Sequence, residues 1–183
     1  MSRETIKKQL STLAIKHQVP CISSATEEYL LQHLMKNKPN YILEIGSAIG
    51  YSTGCIANTI RPRNGHITSF EISQPSYMTA LFHLRQTSLT NQTIYHIDFL
   101  QAPLDKLLVH PLDFIFIDGW KAEYADYVER ILPYCSEDFT CICDDVVMYA
   151  DKVHPLYEVI NKHNLQATSL PLDVDDGILL ITR

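Results

Sequence analysis

The sequence predicts a doubly wound α/β fold, a mostly parallel sheet with helices on both faces. Three observations predict it. Short apolar runs of strand length alternate with segments of helical period from Tyr41 onward. A glycine-framed turn, Gly46 to Gly50, joins the first of these runs to a helix, a geometry in which backbone N–H groups can face a nucleotide. Acids also recur at one edge: Glu44, Glu71, Asp98, Asp118, Asp144 and Asp145 fall at or just after the C-terminal ends of the predicted parallel strands. In a doubly wound sheet those ends share an edge, and ligands bind in the crevice outside it.

Taken in order, Ile6, Leu10, Leu13 and Ala14 share one helical face that Val19-Pro20 terminates. Ser24-x-x-Glu27 reads as a capping box opening a helix with Leu30, Leu31, Leu34 and Met35 as its apolar stripe. Tyr41, Ile42, Leu43 and Ile45 form the first strand, and Ser52 to Ile60 the helix after the glycine turn. Arg61 to Gly65 is turn chemistry, followed by a strand over Ile67–Ile72. Pro75 suits the first turn of a helix bearing Tyr77, Leu81 and Leu84. Ile94–Asp98 and Leu112–Asp118 are the next strands, and a helix with Tyr124, Tyr127, Val128 and Ile131 ends at Pro133. Phe139–Asp145 is a fifth strand, and Val147–Pro155 a loop before a helix marked by Leu156, Val159 and Ile160. Leu165–Leu170 and Ile178–Thr182 close the sheet.

The 183 residues suit one well-cored domain, with N-terminal helices over 1–38 and the α/β core over 39–183. With 46% hydrophobic and 20% charged residues the composition is that of a globular chain and argues against disorder. MSRETIKKQL lacks the apolar region of a secretory leader, and no apolar run approaches the ~18 residues of a membrane span. Five cysteines without a C-x-x-C pair read as reduced thiols. A cytoplasmic protein is the expectation. The net charge of -6 gives no general attraction to nucleic acid or to an anionic membrane.

The glycine spacing is E-x-G-x-x-x-G with Glu44 inside the strand end, whereas a dinucleotide fingerprint is G-x-G-x-x-G. Glu71 lies about 20 residues past the turn, where a carboxylate accepts ribose hydroxyls in any nucleoside-binding sheet. Asp118, Asp144 and Asp145 end strands expected to be neighbours, so their carboxylates repel unless protonated or shared by a cation. An all-oxygen set of this kind suits Mg²⁺, Mn²⁺ or Ca²⁺. Alternatives stand beside each reading: Asp98 and Asp145 as local caps, Trp120 as core packing, and Lys121 as a surface lysine paired with Glu123 or Asp126.

The stretches LEIGSAIGYS, FIFIDGWKAEY (Phe114–Tyr124) and CDDVV (Cys143–Val147) together resemble the cation-dependent O-methyltransferases, the group of catechol and caffeoyl-CoA O-methyltransferases and their small bacterial relatives. The similarity runs from about Ile6 to the C-terminus and takes in QVPCIS and DDGILLITR. It implies a Rossmann-like, seven-stranded sheet whose last strand is antiparallel. It implies S-adenosylmethionine over the glycine turn, with Gly46, Ser47, Tyr51 and Ser52 near the methionine part, Glu71 on the ribose, and Asp98 and Trp120 around the adenine. Glu44, Gly50 and Asp118 complete the implied cofactor set. Asp118, Asp144 and Asp145 match the family's metal ligands, and Lys121, beside Asp118, its catalytic base. The metal would hold a small vicinal-diol or phenolic acceptor and lower the pKa of its hydroxyl.

This chain departs from the family pattern in three places. Its third ligand is Asp145 where the family usually has Asn, and Ser136-Glu137-Asp138-Phe139 replaces a glycine pair. The N-terminus is also shorter than in the plant and animal enzymes. The extra carboxylate should tighten cation binding and weaken the ion's pull on a substrate oxygen. A homodimer is carried over from the family. A tRNA hydroxyuridine O-methyltransferase, with Arg61, Arg63, Lys152 and Lys162 facing the RNA, is one alternative, and a S-adenosylmethionine-binding protein without catalysis is another. A NAD oxidoreductase is argued against by the missing third glycine.

Overall fold

The seven strands are β1 (Tyr41–Ile45), β2 (His66–Glu71), β3 (Gln92–His96), β4 (Leu112–Ile117), β5 (Cys135–Cys143), β6 (Gln166–Pro171) and β7 (Gly177–Thr182). They form one sheet in the order β3-β2-β1-β4-β5-β7-β6. The five strands from β3 to β5 pair in parallel, and β7 runs antiparallel to both its neighbours. The architecture is the Rossmann-like one expected. This computed structural model describes residues 5, 8, 11, 12, 21–174 and 176–183. The helix expected on Ile6, Leu10, Leu13 and Ala14 lies outside the described residues.

Apolar residues on alternate sides of each strand dictate the layering. On β4, Phe114 and Phe116 pack with Leu30, Leu34, Ile56 and Ile60 of helices α1 (Ser24–Asn37) and α2 (Tyr51–Ile60). Ile115 and Ile117 face the other way, in the cluster that holds Tyr124 and Val128 of α5 (Tyr124–Ile131) and Leu156 and Ile160 of α6 (Ala150–Lys162). Between these lie α3 (Gln74–Arg85) and the short α4 (Leu104–Leu107). Both faces of the sheet are thereby covered, so the chain's continuous apolar strands are satisfied.

Several boundaries differ from expectation. The N-cap of α1 is Ser23, whose hydroxyl accepts from the Thr26 N–H at 3.0 Å. Glu27 does not reach back to close a capping box; it accepts from the Tyr51 hydroxyl at 2.7 Å. β3 ends at His96, and Asp98 caps a 3₁₀ turn by accepting from Leu100 N–H at 2.9 Å. β5 begins at Cys135, which pairs with Leu112; residues 136–139 then fall in a register shift before pairing with β4 resumes at Thr140 opposite Phe114. The segment Val147–Pro155 is mostly helix: α6 starts at Ala150 and carries Pro155 in its interior. Burial of Val153, Leu156 and Ile160 outweighs the one hydrogen bond that proline removes.

Candidate active site

The strand order reverses between β1 and β4, and the crevice outside their C-terminal ends is a cavity of about 1120 Å³. One wall is the glycine turn. Gly46 sits at φ +92°, and a Cβ there would run into the backbone carbonyl of Asp118. Only glycine fits both the conformation and the contact. Gly50, at φ +81°, starts α2 without any side-chain cap, and packs against Ala80 of α3. Ala48, between them, also adopts positive φ, and its N–H donates to Glu71 Oε2 at 2.8 Å. Glu71 Oε1 accepts from Ser73 N–H at 2.7 Å. Two backbone donors thus fix the Glu71 carboxylate at the cavity wall.

The opposite wall is the acid cluster. Lys121 places Nζ 2.7 Å from Asp118 Oδ1 and 2.8 Å from Asp145 Oδ2. Burial works against the ammonium, but these two carboxylates outweigh it and hold the Lys121 pKa above the ordinary lysine value. Asp118 is itself raised by burial, against the pull of Lys121. Asp144 accepts from the Thr26 hydroxyl at 3.2 Å. Burial, with Asp118 and Asp145 adding repulsion, pushes Asp144 up to about 7. The backbone beneath is tied by Tyr124, whose hydroxyl lies 3.2 Å from the Ile117 carbonyl and 3.0 Å from that of Asp144.

Whether these residues suit a divalent cation turns on their donors. Three carboxylates form a hard-oxygen set, and two of them already converge on one positive charge. Lys121 brings one positive charge to three carboxylates and so neutralises only part of the cluster if all three are ionised. The donor chemistry therefore fits such an ion. Their present arrangement is that of an ammonium site: among the described residues no group of three or more His, Cys, Asp or Glu is placed to hold a metal ion.

Of the residues singled out in the sequence, Gly46, Glu71, Asp98, Asp118, Trp120, Asp144 and Asp145 line the cavity together. Trp120 is 64% exposed, so it is not core packing, and the Lys152 ammonium lies 5.6 Å from its ring centre. Glu44 is placed differently. It is fully buried beneath the turn and accepts from the hydroxyls of Thr53 and Ser69. The Tyr51 side chain turns inward to Glu27, and Ser52 and Ser47 are buried. These side chains support the turn from below and are not part of the cavity lining. Thr26 and Met148 line the cavity too, although no motif drew attention to them, as do Glu123 and Asp176, which fall inside the quoted stretches without having been given a site role. Arg63, considered for a nucleic-acid face, donates to the carbonyls of Pro39, Thr59 and Leu34. Lys162 pairs with Glu129 at 2.6 Å. No helix among the described residues is long and apolar enough to cross a membrane.

Comparison with known proteins agrees with this geometry. A sequence model described as O-methyltransferase matches residues 1–182. The caffeoyl-CoA O-methyltransferase of Stellaria longipes is 29% identical over 109 residues, 56% of this chain and 45% of that one. The catechol O-methyltransferase of Niastella koreensis is 30% identical over 110 residues, 58% of this chain and 49% of that one. The chain thus spans about half the length of these relatives in the matched region. The crystal structure of an O-methyltransferase from Bacillus cereus in complex with S-adenosylhomocysteine superposes with a TM-score of 0.83, covering 98% of this chain and 91% of that one. At 22% identity that likeness is one of fold.

Proposed function

This chain belongs to the O-methyltransferase family, and from that premise we propose that it transfers the methyl group of S-adenosylmethionine to a hydroxyl of a small vicinal-diol or phenolic acceptor, assisted by a divalent cation. The observation that carries the reading is one cavity that joins the glycine turn, the fixed Glu71 carboxylate and the Asp118/Asp144/Asp145 cluster at the β1–β4 switch point. Gly46 lets the cofactor approach backbone closely, and Glu71 keeps lone pairs for ribose hydroxyls beyond those that Ala48 and Ser73 occupy. Trp120, exposed at the rim, offers a face for stacking on adenine.

The acceptor lies on the acidic side. Asp118, Asp144 and Asp145 would hold the cation, which when bound supplies Lewis acidity toward the acceptor hydroxyl. Lys121 Nζ is the one basic group in the cluster and takes the hydroxyl proton. The oxygen then forms a bond to the methyl carbon as the sulfur–carbon bond breaks, giving a methyl ether and S-adenosylhomocysteine. Because Asp118 and Asp145 hold Lys121 protonated, their charge must be neutralised before it accepts a proton. Positioning of two reactants and charge stabilisation supply most of the acceleration in such a site.

Thermal unfolding with S-adenosylhomocysteine, with NAD, and with neither, each with Mg²⁺ and with chelator, tests this. A ligand at 100 times its dissociation constant adds ~2.7 kcal/mol, several degrees for a domain of this size. The expected result is a shift with S-adenosylhomocysteine and a further one from Mg²⁺. A shift indifferent to Mg²⁺ removes the cation from the scheme, and a shift with NAD alone removes the methyltransferase reading.

A further inference from the structure

The Asp176-Gly177 pair that opens β7 has no part in cofactor or cation binding as described, yet it touches the acid cluster through the backbone. A Cβ on Gly177 would collide with the carbonyl of Leu170, so glycine lets β7 lie close to β6 at this point. Asp176 Oδ1 accepts three N–H groups: Gly177 at 2.7 Å, Val147 at 3.1 Å and Met148 at 3.2 Å. The Val146 N–H adds a fourth link, donating to the Gly177 carbonyl at 3.1 Å. Asp176 Oδ2 is buried without a hydrogen-bond partner among the described residues. All the bonding seen for this carboxylate is therefore directed at the turn after β5 and the start of β7.

That turn begins with Asp145 at φ +57°. For a residue with a side chain the left-handed region costs ~1 kcal/mol or more, and it persists where the surroundings over-determine it. Here the surroundings are the amides of residues 146–148, all three of which donate to Asp176 or Gly177. The turn so held brings the Asp145 carboxylate to 2.8 Å from Lys121 Nζ.

We propose that Asp176 is a positioning residue, fastening the turn after β5 to β7 and so setting Asp145 against Lys121. Its importance to catalysis rests on the methyltransferase reading of Lys121 and Asp145, but the contact itself can be tested without any turnover. In the full chain, the rate of Lys121 acetylation by sulfo-N-hydroxysuccinimide acetate is followed by peptide mass spectrometry, and S-adenosylhomocysteine affinity by calorimetry. Lys121 stands on a different segment from Asp176, so a merely local effect on the hairpin would leave its labelling untouched.

In Asp176→Ala, Lys121 should label several-fold faster, with amide hydrogen exchange at Val147 and Met148 also faster. Asp176→Asn keeps the accepting oxygen and should restore wild-type labelling. Asp176→Glu keeps the charge, displaces the acceptor by a methylene and should label faster; it decides the matter if the alanine variant does not fold. Unchanged labelling in the Ala and Glu variants overturns the proposal, and so does an Asn variant as reactive as the alanine one. A wild-type chain that does not bind S-adenosylhomocysteine removes the methyltransferase reading while leaving the labelling comparison decisive.

Discussion

Glu44 sits where a cofactor contact was expected, and its surroundings give it a different task. One of its oxygens gathers the hydroxyls of Thr53 on α2 and Ser69 on β2, while the other is buried without a hydrogen-bond partner among the described residues. Burial raises its pKa, with the hydroxyl bonds opposing. Above the unfolded value of ~4.3 the native state keeps this proton to higher pH than the unfolded chain does, so stability falls as pH rises from there through the folded pKa. Glu44→Gln mimics the protonated form; its melting temperature should gain on the wild type as pH is raised above the unfolded value of ~4.3. Glu44→Leu should instead lose ~1–3 kcal/mol in denaturant titrations, since two buried hydroxyls lose their acceptor. Lys121 carries the opposite kind of prediction. Lys121→Ala should lower kcat roughly 100-fold or more if it is the base, with S-adenosylhomocysteine affinity retained; full turnover would take the lysine out of the scheme. Both residues were visible in the sequence, Lys121 by its place beside Asp118 and Glu44 by its motif. The role of Glu44 was not, because it depends on hydroxyls supplied by two other elements.

At the scale of elements, the central strands β1 and β4 were legible because they bury both faces and so read as apolar runs. Misreadings fell where tertiary contacts override local pattern. β5 extends back to Cys135 through Ser136, Glu137 and Asp138, residues of low strand preference that fall in the register shift between its two points of pairing with β4. Pro155 suggested a helix boundary, yet α6 runs through it. The helix tolerates the proline because its buried stripe anchors both sides, and Pro155 itself is exposed. Replacing it should then be favourable: Pro155→Ala restores a backbone donor and is expected to add ~1–2 kcal/mol by denaturant midpoint. A loss of stability would mean that the ring fills a contact on the helix surface. Asp176 was the least legible of all. The amides that it holds lie 29 and 28 residues earlier in the chain, and no periodicity links them.

Across the whole molecule, charge is distributed unevenly. Glu71, Asp98, Asp118, Glu123, Asp144, Asp145, Asp173 and Asp176 line the cavity; among the described residues no lysine or arginine lines it, and Lys121, paired behind the wall with Asp118 and Asp145, offsets only part of this charge. S-adenosylmethionine carries a sulfonium charge that its demethylated product lacks, so this field favours substrate over product. The preference should shrink with salt, because screening lengths fall to ~10 Å at 0.1 M. Calorimetry at low and high salt should show the methionine form weakening more than the homocysteine form; equal salt dependence would mean that the carboxylates are neutralised. The sheet order has one more consequence. β7 is made after both β5 and β6, yet it lies between them. While the chain emerges from the ribosome, at ~5–20 residues per second, two strand edges stay open until Gly177–Thr182 has been synthesised. A nascent chain halted before that point offers both edges to other chains or to chaperones, and it cannot finish its sheet by itself.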